Sequence, residues 1–269
     1  MDGGLVVSTH ILKPEPTNPL TAGLTSNEFF CMRLARAVGL NVAQVQLHHI
    51  PEPVLLITRF DRVEHADNVQ RLPTIDGCQA LGLPVCGKYE RPFAHHHDAR
   101  DVRAGASLPS LFHLLDTAAR PAAEKISLLR WAVFQVLIGN IDAHAKNLTF
   151  FSSSCGLSLA PAYDLVCGRM YVNDQVEETL AMAIGDAFRL EDLSAYEWVS
   201  LSRAARLSSR LVKRELTTLS SRTANVLERV IEEVLAEGAD AVVVDQIEAQ
   251  VRVGCGKLLE MAWAIPSST

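Results

Sequence analysis

The chain has 269 residues, of which 48% are hydrophobic, enough to form the core of one large domain or of two small lobes. Its net charge of -6 and pI near 5.8 argue against the broadly basic surface that sequence-independent nucleic-acid binding needs. The most apolar run, WAVFQVLIG, is about half a membrane span, and no secretory signal opens the chain. The six cysteines have no zinc-site spacing. We therefore expect a cytoplasmic protein with reduced thiols that binds neither nucleic acid directly nor a membrane.

The first predicted elements are a strand and a helix. LVVSTHILKP, residues 5–14, is rich in β-branched residues and closes on a proline, which predicts a strand that ends at Lys13. Ser26 is in position to cap a helix over NEFFCMRLARAV, residues 27–38, in which apolar residues recur every four positions. Gly39 follows at the point where helices commonly end.

A β-hairpin is predicted next. VAQVQLHHI, residues 42–50, and VLLITRF, residues 54–60, are both strand-like and are joined by the turn-forming PEP. Strand, helix and hairpin together form a small α+β unit, which we assign to residues 1–75.

Helical patterns dominate residues 76–269. The exception is LTFFSSSCGLSLAPAYD, residues 148–164, in which two apolar strand-like pieces flank a run of small turn formers and predict a second hairpin. The charged, histidine-rich residues 88–107 are expected to form an exposed loop. The predicted helices are SLPSLFHLLDTAA, AAEKISLLRWAVFQVLIG, LVKRELTTLSSRTANVLERVIEEVLAEG and VDQIEAQVRVGCGKLLEMAW. The sequence therefore predicts an α+β fold with a small mixed lobe followed by a mainly α-helical lobe.

GNIDAHAKNLTF, residues 139–150, places a cluster of polar residues between two apolar runs. Asp142 and Asn147 have the D-x-x-x-x-N spacing of a protein-kinase catalytic loop, in which the Asp accepts the proton of the substrate hydroxyl and the Asn binds magnesium. The predicted hairpin follows and ends at Asp164, where a kinase has its other metal-binding carboxylate. Carboxylate and amide oxygens suit magnesium beside the phosphates of a nucleotide. The order of these parts predicts a phosphoryl-transfer site.

The first lobe supplies the remaining parts of such a site. Lys13 ends a strand, as in the V-A-I-K pattern of kinases, and Glu28, near the start of the next helix, is a candidate ion-pair partner. The pair would direct Lys13 towards the α- and β-phosphates, and ITRFDR, residues 57–62, would meet the adenine.

Simpler interpretations of the same residues stay open. An Asp and an Asn at this spacing also occur as capping and turn residues of a loop. A lysine at a strand end is commonly solvated, and Glu28 is favourable near a helix N-terminus without any active site. Three consecutive histidines, His95, His96 and His97, rarely point at one ion, so an exposed loop explains them better than a metal site.

Six segments resemble, in the same order, the HipA-like serine/threonine kinases, which are toxins of bacterial toxin–antitoxin modules. The segments are HILKP, NEFFCMRLARAVGLNV, ITRFDR, CQALGLPVCGKYE, FQVLIGNIDAHAKN and LAPAYDL, and they cover roughly residues 10–170. The resemblance implies a two-lobed, protein-kinase-like fold in which AYDL takes the place of the DFG segment. It also implies ATP as the phosphoryl donor and Mg2+ as the metal.

The resemblance further implies roles for individual residues. Asp142 would accept the proton, Asn147 and Asp164 would bind magnesium, and Lys13, held by Glu28, would bind phosphate. Matching positions imply that Thr58, Arg59 and Phe60 contact the adenine. The nucleotide pocket would also be lined by His144, Lys146 and Tyr163.

The resemblance also implies partners and raises one difference. Members of the family are usually restrained by a HipB-like helix-turn-helix antitoxin, which itself binds DNA, and their substrates include aminoacyl-tRNA synthetases. They carry a Gly-rich loop upstream of the lysine strand, whereas this chain begins twelve residues before Lys13 and MDGG is too short for that loop. We therefore expect the phosphate lid to be missing, whether through natural shortening, a split gene or a misassigned start.

Three functions follow from this sequence. The first is a toxin-type protein kinase that uses ATP and magnesium. The second is a catalytically impaired, truncated kinase-like module that binds an antitoxin or another partner protein. The third is a kinase with a small-molecule acceptor, since a fold does not determine the acceptor.

Overall fold

The structure is a computed structural model that describes residues 8–66, 68–173 and 178–266. Within these ranges it contains seven α-helices and eight β-strands. The helices are α1 (Leu24–Ala37), α2 (Gly77–Ala80), α3 (Leu108–Leu114), α4 (Pro121–Ile138), α5 (Ala195–Ala204), α6 (Ser209–Ala236) and α7 (Ala241–Ala264). The strands are β1 (His10–Pro14), β2 (Val45–His49), β3 (Pro53–Thr58), β4 (Arg62–Glu64), β5 (Val69–Arg71), β6 (Thr74–Asp76), β7 (Thr149–Ser153) and β8 (Gly156–Leu159).

The first sheet has the order β1-β3-β2, and both neighbours of β3 run antiparallel to it. Its register places Lys13 opposite Leu55. Leu55 and Ile57 of β3 are buried, as are Phe29 and Phe30 of α1, the helix that packs against β3. Full burial of each such side chain contributes about 1.5–3 kcal/mol. This packing fixes the position of β1 relative to α1, and so of Lys13 relative to that helix.

The predicted first strand and first hairpin are confirmed. The strand runs from His10 to Pro14, one residue beyond the predicted end. Of the residues predicted before it, Ser8 and Thr9 are not in the strand, and residues 5–7 lie outside the described residues. The MDGG segment also lies outside them. The hairpin forms as β2 and β3, which pair from Val45 opposite Ile57 to His49 opposite Pro53.

The helix α1 is confirmed, but the prediction that Ser26 forms its N-cap is wrong. The helix begins at Leu24, and Gly23 takes the N-cap position with a left-handed φ of 78°. The carboxylate of Glu15 accepts the backbone N–H groups of Gly23 at 2.5 Å and Thr25 at 3.1 Å. A negative charge from the preceding loop thus satisfies N–H groups that a capping side chain would otherwise bind.

The second predicted hairpin is confirmed as β7 and β8, and β6 pairs with the other edge of β7. Phe150 at its centre is fully buried, and the backbone N–H of Leu159 donates to the carboxylate of Glu124 in α4 at 3.0 Å. Beyond β8, Ala162 forms a parallel bridge with Val42, just before β2. These contacts hold the segment after the hairpin against the first sheet.

The predicted long helices are confirmed as α4, α6 and α7, and the SLPSLFHLLDTAA segment forms α3. The helices α6 and α7 pack against each other, and both α1 and α4 pack on this pair. A Cβ atom at Gly254 of α7 would lie 2.3 Å from the carbonyl oxygen of Leu137, so the close approach of α7 to α4 requires glycine there. The sequence did not predict the ten-residue helix α5, the four-residue helix α2 or the three-residue strands β4, β5 and β6.

Residues 88–107 form turns and are mostly exposed, as predicted, and His95, His96 and His97 are among the exposed residues. Tyr89, which is half-buried, and Glu90, which is buried, are exceptions. All six cysteines are free. Among the described residues, no helix combines the length and apolar character needed to cross a membrane.

Candidate active site

Lys13, Glu28 and Asp164 meet at one point although they come from three separate segments. The Lys13 Nζ donates to Glu28 Oε1 at 2.9 Å and Oε2 at 2.8 Å, and to Asp164 Oδ1 at 2.7 Å. Burial disfavours the Lys13 ammonium, but the two carboxylates outweigh this effect and raise its pKa above the ordinary value. Burial raises the pKa of Glu28, and the charge of Lys13 opposes that rise. The cluster keeps a lysine charged at the end of β1.

Asp164 has a backbone conformation that is rare for its residue type. Its φ is 57°, and Arg206 is the only other non-glycine among the described residues with a positive φ. Left-handed conformations cost about 1–2 kcal/mol for an L-residue, and such strain is concentrated at functional sites.

Asn27 of α1 holds the backbone that follows Asp164. Its Oδ1 accepts the Cys167 N–H at 2.8 Å, and its Nδ2 donates to the Cys167 carbonyl oxygen at 3.1 Å. Asn27 is fully buried. Because one side chain satisfies both backbone groups of Cys167, it joins the segment after the hairpin to the same helix that carries Glu28.

Residues 139–150, where the sequence predicts a catalytic loop, are arranged by asparagine side chains. The α4 helix ends at Ile138, and Gly139 reverses the chain with a left-handed φ of 68°. Asn140 then donates to the Gln135 side chain at 2.8 Å and accepts the backbone N–H of Asp142 at 3.0 Å. The amide Nδ2 of Asn147 donates to the Asp142 carbonyl oxygen at 3.1 Å. The polar residues at this site therefore close a tight loop that presents the exposed Asp142 side chain.

A cavity of about 520 Å³ opens beside the lysine cluster, between the first sheet and the segment after β8. Its volume is in the range of small-molecule sites. Phe60 forms an aromatic group with Phe151 and Tyr163, with ring centroids 5.9 Å and 5.8 Å from its own. Six predicted site residues line this cavity: Lys13, Thr58, Arg59, Phe60, Tyr163 and Asp164.

The Arg59 side chain is bound by a neighbouring carboxylate. Its Nε and one terminal nitrogen donate to the two Asp61 oxygens at 3.0 Å and 2.8 Å. The bond from Arg59 lowers the pKa of Asp61, and it raises the pKa of Arg59 itself. The backbone N–H of Arg59 donates to the carbonyl oxygen of Thr9 at 2.9 Å. The guanidinium is thus fixed at the cavity rim.

The other predicted site residues lie around the catalytic loop. Asn147 lines a second cavity of about 360 Å³, between α4 and the β7–β8 hairpin. Lys146 pairs with Asp76 at 2.5 Å, which raises its pKa, and its carbonyl oxygen accepts the Tyr163 hydroxyl at 2.7 Å. His144 is buried, and burial lowers its pKa although the charge of Asp142 opposes that change. His144 and Lys146 are not among the described residues that line the 520 Å³ cavity.

Comparison with known proteins identifies the family. The HipA-like C-terminal domain family matches residues 4–238. The chain belongs to the HipA-like family. A curated relative, the serine/threonine-protein kinase toxin HipA of Shewanella oneidensis, is 39% identical over 231 residues, which are 85% of this chain and 52% of the relative. The HipA-like chain thus spans about half the length of the curated relatives it matches.

Solved structures confirm the predicted fold class. A Shewanella oneidensis structure of HipA, HipB and operator DNA matches with a TM-score of 0.87 and 35% identity, covering 97% of this chain and 61% of that one. The Helicobacter pylori proinflammatory kinase CtkA matches with a TM-score of 0.62 and 12% identity, covering 96% of this chain and 88% of that one, a likeness of fold alone. The HipA-like chain therefore has a mixed α and β, kinase-like fold.

Two predicted metal ligands, Asn147 and Asp164, offer donor atoms of the kind that magnesium binds. Asn147 uses its amide nitrogen in the bond to Asp142, so its amide oxygen is the atom that can bind a metal. Asp164 offers a carboxylate. Among the described residues, no group of three or more His, Cys, Asp or Glu side chains could hold a metal. Magnesium commonly takes one or two protein ligands and completes its shell with phosphate and water oxygens, so an amide oxygen and a carboxylate are each of the donor type that it binds.

Three residues that contact the predicted site residues or their backbone were not predicted from the sequence. The sequence contained a signal for Asn27 and Asn140, because each is a polar residue within or beside an apolar run. Gln135 in α4 is a polar residue of the same kind. Tyr89, whose hydroxyl donates to Asp142 Oδ1 at 2.8 Å, gave no such signal because it stands in a polar loop. Its role depends on a partner 53 residues away in the chain.

Proposed function

We propose that this chain is a HipA-like serine/threonine-protein kinase that transfers the γ-phosphoryl group of ATP to a protein hydroxyl. One observation carries the proposal: Lys13, Glu28 and Asp164 converge within hydrogen-bond distance at the edge of an open cavity. These are the three positions at which a kinase needs its phosphate-binding lysine, the ion-pair partner of that lysine and a metal-binding carboxylate.

The proposed roles divide between the cavity and the catalytic loop. Lys13 binds the α- and β-phosphates, and Glu28 keeps it charged and directed at them. Thr58, Arg59 and Phe60 contact the adenine. His144, Lys146 and Tyr163 form the surroundings of the nucleotide, Lys146 through its carbonyl oxygen, which holds the Tyr163 hydroxyl.

The proposed chemistry is a proton transfer combined with electrostatic stabilisation. Asp142 accepts the proton of the acceptor hydroxyl as that oxygen attacks the γ-phosphorus, and ADP leaves. Asn147 and Asp164 would hold magnesium, which would supply neutralisation of the negative charge on the phosphates. In this scheme residues 1–75 are the small lobe and residues 76–269 the mainly helical lobe.

The proposed biological setting is the toxin part of a type II toxin–antitoxin system. The Shewanella oneidensis structure contains HipA together with HipB and operator DNA, which supports a HipB-like helix-turn-helix antitoxin as the partner. DNA contact would then be made by the antitoxin and not by this chain, whose net charge is -6. We also propose a cytoplasmic protein substrate, with aminoacyl-tRNA synthetases as the class to test first.

Phosphate transfer from γ-labelled ATP tests the proposal. The 269-residue chain and its Asp142→Asn variant are incubated with ATP, magnesium and a bacterial protein extract, with casein as a second acceptor. We expect label transfer by the parent and a decrease of about 10²–10⁴-fold in the variant, the usual contribution of a positioned base. Because Asp142 is exposed, both proteins should unfold at similar temperatures. Equal label with the parent and the variant would refute the kinase proposal.

The second candidate function is a catalytically impaired, kinase-like module that binds an antitoxin or another protein. One observation favours it: within the described residues β1 pairs only with β3, and Leu12 on this edge strand is 65% exposed. An open edge can pair with a strand of another segment or protein. Calorimetric titration with ATP and magnesium separates the two functions. Micromolar binding by the parent that is lost in Lys13→Met supports the kinase. Absence of binding by the parent supports the module.

A further inference from the structure

Tyr89 makes a direct contact with the proposed catalytic carboxylate. Its hydroxyl donates to Asp142 Oδ1 at 2.8 Å, and within the described residues no other side chain is hydrogen-bonded to that carboxylate. Burial raises the pKa of Tyr89 well above the ordinary tyrosine value, and the hydrogen bond and charge of Asp142 raise it further. The hydroxyl therefore keeps its proton, and remains a donor, at any pH where the enzyme works.

The backbone at Tyr89 is held in place although its surroundings in sequence are exposed. The next residue, Glu90, is buried, and its carboxylate accepts the Ala183 N–H at 2.8 Å and the Arg103 Nε at 2.6 Å. The Glu90 N–H donates to the Ala181 carbonyl oxygen at 2.9 Å, and its own carbonyl accepts the Gly105 N–H at 3.1 Å. Two of these four hydrogen bonds join Glu90 to Ala181 and Ala183, and the other two join it to Arg103 and Gly105 of its own loop, so the backbone next to Tyr89 is fixed.

The close approach of Gly105 restricts Tyr89 further. A Cβ atom at Gly105 would lie 1.8 Å from the carbonyl oxygen of Tyr89, so only glycine fits where these two backbone segments meet. On the ring side, His144 packs edge-on with centroids 5.3 Å apart, and the Lys88 Nζ lies 4.7 Å from the ring centroid. The hydroxyl is therefore presented to Asp142 by a fixed backbone and a packed ring.

From this geometry we infer that Tyr89 is a positioning residue for Asp142. Its hydroxyl fixes one carboxylate oxygen, which leaves the other to accept the proton of the acceptor hydroxyl. Asn140 and Asn147 fix the Asp142 backbone, and Tyr89 adds the third constraint by fixing the side chain. The inference rests on the proposed kinase function, in which Asp142 is the proton acceptor.

Tyr89→Phe tests the inference because it removes the hydroxyl and keeps the ring. ADP formation from ATP and magnesium, with casein as the acceptor, is measured for the parent, Tyr89→Phe and the exposed control Tyr196→Phe. We expect kcat of Tyr89→Phe to fall about tenfold, the effect of one hydrogen bond to a charged group, with KM for ATP unchanged. The control should match the parent. An unchanged kcat would overturn the inference, and so would an increase, because an increase would mean that Tyr89 blocks the acceptor.

A measurement without turnover keeps the inference and the proposed function distinguishable. In protein labelled with 13C at tyrosine Cζ, Tyr89 of the parent should remain protonated at about pH 11, one unit above the ordinary value, and should ionise at lower pH in Asp142→Asn. An unaltered Tyr89 signal in that variant would overturn the inference even if the chain is an active kinase. If the coupling is present and the parent does not turn over ATP, the proposed function fails, and the positioning role fails with it.

Discussion

On the β1 side of the cavity, Lys13 lies between the carboxylates of Glu28, which is only 3% exposed, and Asp164. Asn27 holds the backbone that follows Asp164. In the predicted catalytic loop, Asp142 is exposed, and its side chain is held by Tyr89 from a second loop that is mostly exposed. Charges buried together depend on one another for stability, whereas an exposed charge is solvated whether or not its partner is present. We therefore expect substitutions on the first side to affect folding and those on the second side to affect turnover alone.

The largest expected loss of stability follows from Asn27→Ala. The change leaves the N–H and carbonyl groups of Cys167 without their side-chain partner in a fully buried place, which should cost about 3 kcal/mol. Denaturant unfolding of the parent and the variant measures this, with the exposed Asn68→Ala as the control. If Asn27→Ala unfolds like the control, α1 does not hold the segment that follows Asp164.

A smaller loss is expected for Lys13→Met, which leaves Glu28 buried beside Asp164 without a cation. Removing one partner of a buried ion pair costs about 3–5 kcal/mol, and since Lys13 is 36% exposed we reduce this to about 2 kcal/mol. Because the variant retains the buried carboxylate, Lys13→Met/Glu28→Gln should recover part of the loss. Arg100→Met, in the exposed loop, should change the free energy of unfolding by less than about 0.5 kcal/mol. Equal losses in Lys13→Met and Arg100→Met would remove the distinction between the two sides.

The smallest effect is a dependence on alkaline pH. A group whose pKa is raised on folding contributes stability that is fully present below its unfolded value and is lost as pH rises through the folded value. For Lys13 the unfolded value is near 10.5, so this contribution should decline above that pH. The free energy of unfolding, measured between about pH 10 and pH 12, should therefore fall more steeply for the parent than for Lys13→Met. Parallel curves would show that the carboxylates do not stabilise the ammonium.

The sequence predicted the parts of the fold that are encoded locally. Both hairpins were found from turn residues between apolar runs, and the long helices from their apolar period. The strands β4, β5 and β6 were not found, since each has only three residues and is defined by its partner strand. The wrong N-cap at Ser26 has a similar cause, because the capping carboxylate of Glu15 comes from the preceding loop.

The candidate site divides in the same way. The spacing of Asp142 and Asn147 and the position of Asp164 at the end of a hairpin were readable from the chain, as were Lys13 and Glu28 as a candidate pair. The second contact of Lys13, to Asp164 across 151 residues, was not. Neither were the contacts of Asn27 across 140 residues and of Tyr89 across 53. Polar residues that bind distant partners leave no regular pattern in a sequence.

The sequence by itself determined which hairpins, long helices and loop motifs are present and in what order they follow along the chain, because these elements depend on neighbouring residues. It also carried the resemblance to the HipA-like kinases that the comparisons confirmed. Only the tertiary structure decided that one lysine binds two carboxylates, that Asp164 adopts a left-handed conformation and that a tyrosine hydroxyl meets Asp142. These features arise where β1, α1, the catalytic loop and the second hairpin pack together, and distances between separate elements are set by packing rather than by local sequence.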